Sequence, residues 1–157
     1  MLTSNVRNTA DQIDRANATG LTPVVFVHGL WLLPSSWDRW AAVFEEAGYT
    51  ALMPGWPDDP DTVEEANAHP EVFAHKSVGQ VANHYADVIG QLKNKPAVIG
   101  HSIGGLLVQM VAGRGLSAAT WRSIQGRSAA CCRYRTQPLS RPRRCLATRP
   151  TATAQSR

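Results

Sequence analysis

The amino-acid sequence predicts an α/β fold, an open parallel β-sheet with helices packed against it. Three short apolar runs, at residues 24–27, 51–55 and 96–100, are typical of strands buried in a parallel sheet. Stretches with apolar residues at helical spacing separate and follow these runs. A length of 157 residues is enough for one such domain with a modest core, but not for two.

The first strand is followed by a predicted helix in "SSWDRWAAVFEEAGY". Ser35 and Asp38 have the spacing of a capping box, and Gly48 suits the end of a helix. The apolar residues recur at steps of three and four, at Trp37, Trp40, Ala41 and Phe44. The pattern therefore predicts one amphipathic helix between the first and second strands.

Two further helices follow the second and third strands. The earlier one is indicated by apolar residues three and four positions apart, at Val78, Val81, Tyr85, Val88 and Leu92. The later one begins at Ser102 and runs to about Arg114, with Gly113 and Gly115 ending it. It is apolar on almost every side, as expected of a helix covered by other layers.

Residues 54–75 interrupt this alternation of strands and helices. They contain four prolines and six acidic residues and show no clear period. One interpretation is a solvated surface loop, and the other is a lid over a functional site, because long connections often line sites. The sequence leaves both open.

Charge divides the chain at residue 120. Residues 1–120 contain all 12 acidic residues and seven lysines and arginines, a net charge of −5. Residues 121–157 contain nine arginines and no acidic residue, a net charge of +9, and few large aliphatic side chains. Such a composition buries too little apolar surface to offset its ordering entropy. We therefore expect a folded domain over 1–120 and a disordered basic tail over 121–157.

The composition also indicates which features we do not expect: a membrane span, a secretory signal, a metal site or a cofactor. No run of 18 apolar residues occurs, and the polar N-terminus lacks the apolar core of a secretory signal, so we expect a cytoplasmic protein without a membrane partner. Cys131, Cys132 and Cys145 match neither a zinc spacing nor an even disulfide set. We expect no metal and no cofactor.

The stretch "VIGHSIGGLL", residues 98–107, has the form Gly-x-Ser-x-Gly between a predicted strand and a predicted helix. This context predicts a sharp turn that exposes the Ser102 hydroxyl at the carboxyl end of the sheet. We expect glycine at positions 100 and 104 because a side chain at either one would collide with the turn and the neighbouring strands. The N–H of Ile103, at the positive end of a helix, is then suited to bind a developing oxyanion.

A second oxyanion donor is expected from the loop after the first strand, "VFVHGLWLLPSSW". Gly29 allows this backbone to approach the serine closely, and the N–H of Leu30 is the candidate donor. The N–H of Trp31 is the alternative.

With both motifs in this order, the chain resembles the α/β-hydrolase superfamily, most closely its esterase and cofactor-free haloperoxidase-like group. The resemblance covers roughly residues 20–120. It implies the N-terminal part of that fold, with the three strands in the family order 4-3-5. It implies Ser102 as the nucleophile, Leu30 and Ile103 as the oxyanion hole, and an ester-like small molecule as substrate. The positions that support the motifs are His28, Gly29, Gly100, His101 and Gly104.

The rest of the expected machinery is missing. The family order is serine, then an acid, then histidine, but no Asp, Glu or His follows Ser102. His69 and His75 lie in the interrupting stretch and would have to swing toward Ser102 to act as a base; a surface role is the alternative. Ser102 itself has the alternative of an ordinary helix cap. This chain is therefore expected to be inactive, and a non-catalytic ligand-binding or interaction module is the competing interpretation.

The resemblance breaks near "SAATWRSIQ". A one-base slip at Trp121 permits Val-Ala-Ile-Asp for residues 121–124, which is similar to the buried strand that the family has here. We hypothesise that residues 121–157 are an out-of-frame tail on a truncated hydrolase. Nucleic-acid binding through the arginines is the alternative, weakened by a lack of stacking aromatics. The sequence predicts no oligomeric state.

Overall fold

The computed structural model describes residues 8–123, which form a four-stranded parallel sheet with helices on both faces. The strand order is β2-β1-β3-β4. The strands are β1 Pro23–Val27, β2 Thr50–Leu52, β3 Ala97–His101 and β4 Ala119–Ser123. The α/β fold and the relative order of the three predicted strands, second-first-third, are confirmed.

The fourth strand is an addition to the three that the sequence predicted. β4 pairs in parallel with β3, and Trp121 lies opposite Ile99. The sheet therefore continues to Ser123, beyond the predicted start of the tail at residue 121. The remainder of the predicted tail, residues 124–157, lies outside the described residues.

The core lies on the two faces of the sheet. β1 is completely buried, and its alternate side chains belong to two separate apolar clusters. This arrangement explains why its sequence is continuously apolar, since both faces of the strand are covered. The helices against one face are α1 Thr9–Thr19, α4 Val78–Gly90 and α5 Ile103–Gly113, and the other face is covered by α2 Asp38–Glu46.

The N-terminal helix α1 was not predicted from the sequence. Its start is capped by the Asn8 side chain, which accepts a hydrogen bond from the Ala10 N–H, and its end is the left-handed Gly20. Ile13 and Ala16, three residues apart, pack into the core. The cap, the spacing and the terminal glycine were the available signals.

The predicted capping box at Ser35 and Asp38 is wrong. Residues Pro34–Trp37 form a short 3₁₀ helix that leads into α2, and Trp37 at the start of α2 makes no side-chain cap. Pro34 at the first turn favours this entry because its fixed φ suits a helix start. Gly48 adopts φ 85° just after α2, as predicted for the end of that helix.

Residues 53–77 connect β2 to α4, and we call them the connecting segment. The segment contains the short helix α3 Val63–Ala68 and a 3₁₀ turn Pro70–Phe73. It ends at Ser77, which forms a capping box with Gln80 at the start of α4. Within residues 8–123 no helix is long and apolar enough to cross a membrane.

Candidate active site at the carboxyl end of the sheet

Ser102 occupies a sharp turn between β3 and α5. Its backbone has φ 56° and ψ −123°, a conformation that a residue with a side chain adopts at a local cost. Ser102 is exposed at the end of the strand. The predicted strand, turn and helix are all present, and the turn presents the serine at the carboxyl edge of a parallel sheet, where ligands bind in folds of this class.

Two glycines make this turn sterically feasible. A Cβ on Gly100 would overlap the carbonyl oxygen of Gly104 and lie 2.9 Å from the Gly105 nitrogen. A Cβ on Gly104 would overlap the Val27 carbonyl at the end of β1. Both obstacles are backbone atoms, which cannot swing away as a side chain does. The Gly-x-Ser-x-Gly spacing is therefore a packing requirement of this turn.

The side chain of Ser102 makes no capping hydrogen bond at the start of α5. This is evidence against the alternative that Ser102 is an ordinary helix cap. Its backbone is held from two sides: the Ser102 N–H donates to the Ser123 carbonyl at 3.0 Å, and the Ser102 carbonyl accepts from the Gly105 N–H at 2.9 Å. The backbone is thus fixed while the hydroxyl stays free of the helix.

The loop after β1 lies directly against this turn. A Cβ on Gly29 would lie 3.2 Å from the Ser102 Cβ and 3.3 Å from the His101 carbonyl oxygen, so the two backbones are in close approach. The Leu32 N–H donates to the Gly29 carbonyl at 3.2 Å, closing a turn with Leu30 and Trp31 at its centre. Trp31 has φ 66°, as the third position of a type II turn requires.

The five histidines occupy different environments. His28 is buried with 2% exposure, and His101 is partly buried beside Gly29. His69 is exposed and contacts Glu71 at 3.1 Å, and His75 is exposed as well. Among residues 8–123 none of them forms a hydrogen bond with Ser102, so the described part of the chain supplies no general base in contact with the hydroxyl.

A buried charged cluster was missed by the sequence reasoning, which treated Asp59 as one of six acids in a polar stretch. The Asp59 side chain is 3% exposed and lies between His28, at 3.1 Å, and Lys76, at 3.3 Å. The only local signal was an aspartate in a proline-rich turn, "GWPDDP". The partners are too far apart in sequence to form a recognisable spacing.

Tyr85 on α4 packs near this cluster. Its hydroxyl donates to the Pro54 carbonyl at 2.9 Å at the start of the connecting segment. Complete burial, together with the negative charge of Asp59, raises the pKa of Tyr85 well above its ordinary value.

The connecting segment also contacts the loop after β1. The Phe73 ring lies 5.8 Å from the Trp31 ring, and the Lys76 ammonium lies 5.9 Å from the Phe73 ring centre. The segment therefore contacts the loop that follows β1.

Two cavities flank the site. One, of about 210 Å³, lies under the connecting segment and is lined by Trp56, three prolines and several aspartates. The other, of about 260 Å³, lies between α2 and the end of β4 and is lined by Trp37, Trp40, His101 and Trp121, among others. Ser102 lines neither of them. Within residues 8–123 no group of three or more His, Cys, Asp or Glu side chains is arranged to hold a metal ion.

Residues 24–156 match the profile of a family described as the alpha/beta hydrolase family. The match begins at β1 and continues beyond the described residues. No curated protein sequence matches the chain significantly.

Solved structures share the fold at low sequence identity. An extracellular alpha/beta-hydrolase from a Paenibacillus species is 20% identical, with a TM-score of 0.52 over 68% of this chain and 42% of its own. The monoacylglycerol lipase of Paleococcus ferrophilus is 24% identical, with a TM-score of 0.52 over 64% of this chain and 37% of its own. Epoxide hydrolase A of Mycobacterium thermoresistibile is 22% identical, with a TM-score of 0.51 over 66% of this chain and 32% of its own. The chain thus spans well under half the length of these structures.

Proposed function

The chain belongs to the alpha/beta hydrolase family, and we propose that Ser102 is the nucleophile of a hydrolase acting on carboxylic esters or related acyl compounds. The observation that carries this proposal is the strained backbone of Ser102 between two glycines that the surrounding backbone requires. A serine fixed in such a turn, with a hydroxyl that does not cap the helix, is available for attack.

In this proposal, the Ser102 oxygen bonds to the substrate carbonyl carbon while the hydroxyl proton passes to water or a buffer base, and the carbonyl oxygen becomes negatively charged as the tetrahedral intermediate forms. The N–H groups of Ile103 and Leu30 stabilise that charge. The intermediate then expels the alcohol, which takes up a proton, and water hydrolyses the acyl-enzyme. Ile103 is the first residue of α5, so the positive end of the helix supports its N–H. Gly29, in close approach to Ser102, brings the Leu30 peptide to the same side of the sheet.

The acid and base that would activate Ser102 are absent from the sequence that follows it. We expect this chain alone to be slower than a complete triad by about 10⁴-fold or more, because a hydroxyl without a base is a poor nucleophile. What remains is the contribution of the oxyanion hole and of binding.

A chemical-rescue experiment tests the role of Ser102. Imidazole added to the buffer replaces the missing base, and a fluorophosphonate probe forms a stable adduct with an activated serine. We expect imidazole to accelerate labelling, and mass spectrometry to locate the adduct at Ser102. Ser102→Ala removes the label, whereas the matched variant Ser117→Ala retains it. Equal labelling of Ser102→Ala and the unmodified chain would contradict the proposal.

The reading frame after β4 is a separate question. In our hypothesis the gene encodes the missing Asp and His in another frame downstream of codon 121. In the present frame β4 pairs with β3 up to Ser123, so a strand at this point does not distinguish the two frames. Sequencing the gene decides the question: downstream DNA that encodes no further strands with an Asp and a His in any frame would refute the hypothesis.

A further inference from the structure

The buried carboxylate of Asp59 joins three separate parts of the chain. Its Oδ2 accepts a hydrogen bond from the Trp56 N–H at 2.8 Å and lies 3.1 Å from the His28 Nε2. Its Oδ1 accepts from the Lys76 ammonium at 3.3 Å. Carboxylates are rarely buried unless paired, and Asp59 therefore depends on these partners. It links both ends of the connecting segment to the first residue after β1.

The His28 ring faces an oxygen on each side. Its Nδ1 lies 3.0 Å from the Gly29 carbonyl, and its Nε2 is at ion-pair distance from Asp59, although not aligned as a hydrogen bond. The Trp56 ring stacks on the imidazole at 5.6 Å and fixes its plane.

The carbonyl that His28 contacts belongs to the Gly29–Leu30 peptide. It also accepts the Leu32 N–H at 3.2 Å, so two donors hold it. In a trans peptide the N–H points opposite to the carbonyl. Holding the Gly29 carbonyl on the His28 side therefore directs the Leu30 N–H to the other side. Within residues 8–123, the Leu30 N–H donates to no other group.

We propose that Asp59 is a positioning residue for the oxyanion hole: acting through His28, it fixes the Gly29–Leu30 peptide so that the Leu30 N–H is available to the oxyanion. This inference rests on the proposed function for its catalytic meaning, but the peptide orientation is measurable without catalysis. It makes the connecting segment part of the site's framework, because Asp59 and Lys76 both belong to that segment.

The first test separates the two contacts of His28. In His28→Asn the side-chain amide occupies the position of Nδ1 and retains a donor to the Gly29 carbonyl. In His28→Gln the amide occupies the position of Nε2 and retains the contact with Asp59. The readout is the ¹⁵N relaxation order parameter of the Leu30 amide in the full chain. We expect about 0.85 in the unmodified chain and below about 0.6 in His28→Gln, which loses the donor to the Gly29 carbonyl. His28→Asn keeps that donor but loses the contact with Asp59, so its order parameter should lie between these two values.

The second test compares two histidine–carboxylate pairs of equal length, each with its carboxylate in the connecting segment. The Asp59–His28 and Glu71–His69 contacts are both 3.1 Å, but the second pair is exposed. Asp59→Asn and Glu71→Gln each remove one negative charge and keep the side-chain shape. We expect Asp59→Asn to change the ¹⁵N shifts of the His28 ring and to lower the Leu30 order parameter. Glu71→Gln should leave both as they are.

An unchanged Leu30 order parameter in Asp59→Asn, or equal values in His28→Gln and His28→Asn, would overturn the inference. So would an equal loss of order in Glu71→Gln, since that would indicate general loosening. If the His28 variants do not fold, the comparison of Asp59→Asn with Glu71→Gln decides. Failure of Ser102 to react with the fluorophosphonate probe would count against the proposed function alone, because the order parameters do not depend on that reaction.

Discussion

The turn around Ser102 and the connecting segment lie at the same end of the sheet, but different forces hold them. The turn is defined by backbone packing, where Gly100 and Gly104 fit against main-chain atoms of α5 and β1. The connecting segment is anchored by side chains, above all by the Asp59 carboxylate between His28 and Lys76. Backbone packing requires glycines at fixed positions in the sequence, whereas the side-chain contacts of Asp59 require no fixed spacing between the partners.

The largest effect that we expect comes from breaking the side-chain anchor. Asp59→Ala leaves the Trp56 N–H without its acceptor and the Lys76 ammonium without its counter-ion in a buried place. Removing one partner of a buried pair costs about 3–5 kcal/mol of unfolding free energy. Urea denaturation followed by circular dichroism measures this loss. A loss below about 1 kcal/mol would show that the segment is held by something else.

The backbone constraint is tested by adding one methyl group. Gly104→Ala should cost about 1–3 kcal/mol or more, because its Cβ would overlap the Val27 carbonyl, which is backbone and cannot rotate away. Gly113→Ala, at the end of the same helix, is the matched control, since nothing lies within 4 Å of its added Cβ. It should stabilise the protein by about 0.4–1 kcal/mol. Equal denaturation midpoints for the two variants would refute the steric argument.

The turn could be predicted from the sequence because backbone packing requires glycine at two fixed positions. Gly100 and Gly104 stand two residues on either side of Ser102 because a side chain at either position would overlap backbone atoms. The apolar run before them is explained by the burial of β3 within the sheet. The Asp59 cluster could not be predicted in the same way. His28, Asp59 and Lys76 are distant in sequence, and their pairing exists only after the sheet has brought β1 beside β2.

Helix boundaries were predicted less well than the turn. The Ser35–Asp38 pattern indicated a capping box, but Pro34 starts a 3₁₀ helix that takes the chain into α2. The short helix α3 buries none of its side chains, so no apolar period marked it in the sequence. α1 had a cap and a terminal glycine, but its apolar positions are few.

A smaller, pH-dependent effect is expected at Tyr85 on α4. This helix contacts the connecting segment through Tyr85 and also packs against α5, the helix that follows the Ser102 turn. Because its pKa in the folded state lies above the ordinary value of 10.0, the unfolded chain loses the phenol proton first as the pH rises. The contribution of Tyr85 to the free energy of unfolding is therefore fully present below pH 10.0. It falls above that pH, until Tyr85 of the folded protein also ionises. Urea midpoints between pH 8 and pH 11 measure this slope.

Tyr85→Phe provides the control for that slope. It removes the ionisation together with the hydrogen bond to the Pro54 carbonyl, which should cost about 1 kcal/mol at neutral pH. The decline above pH 10 should then become shallower. A decline as steep as that of the unmodified chain would assign the pH dependence to other groups.

The smallest effect is expected at the exposed pair in the connecting segment. His69→Ala should leave the urea midpoint unchanged, because the His69 and Glu71 side chains are 63% and 70% exposed and water screens their interaction. A clear shift in the midpoint would mean that surface charge contributes to the anchoring of the segment, which would weaken the contrast with the buried Asp59 cluster.

The hydrogen bond from the Ser102 N–H to the Ser123 carbonyl has a consequence for protein engineering. The turn around Ser102 lies between the strand β3 and the helix α5. Here a piece that stops at Gly113 would leave the Ser102 amide without its acceptor. A piece that keeps this hydrogen bond therefore has to include β4 as well as β3, the turn and α5.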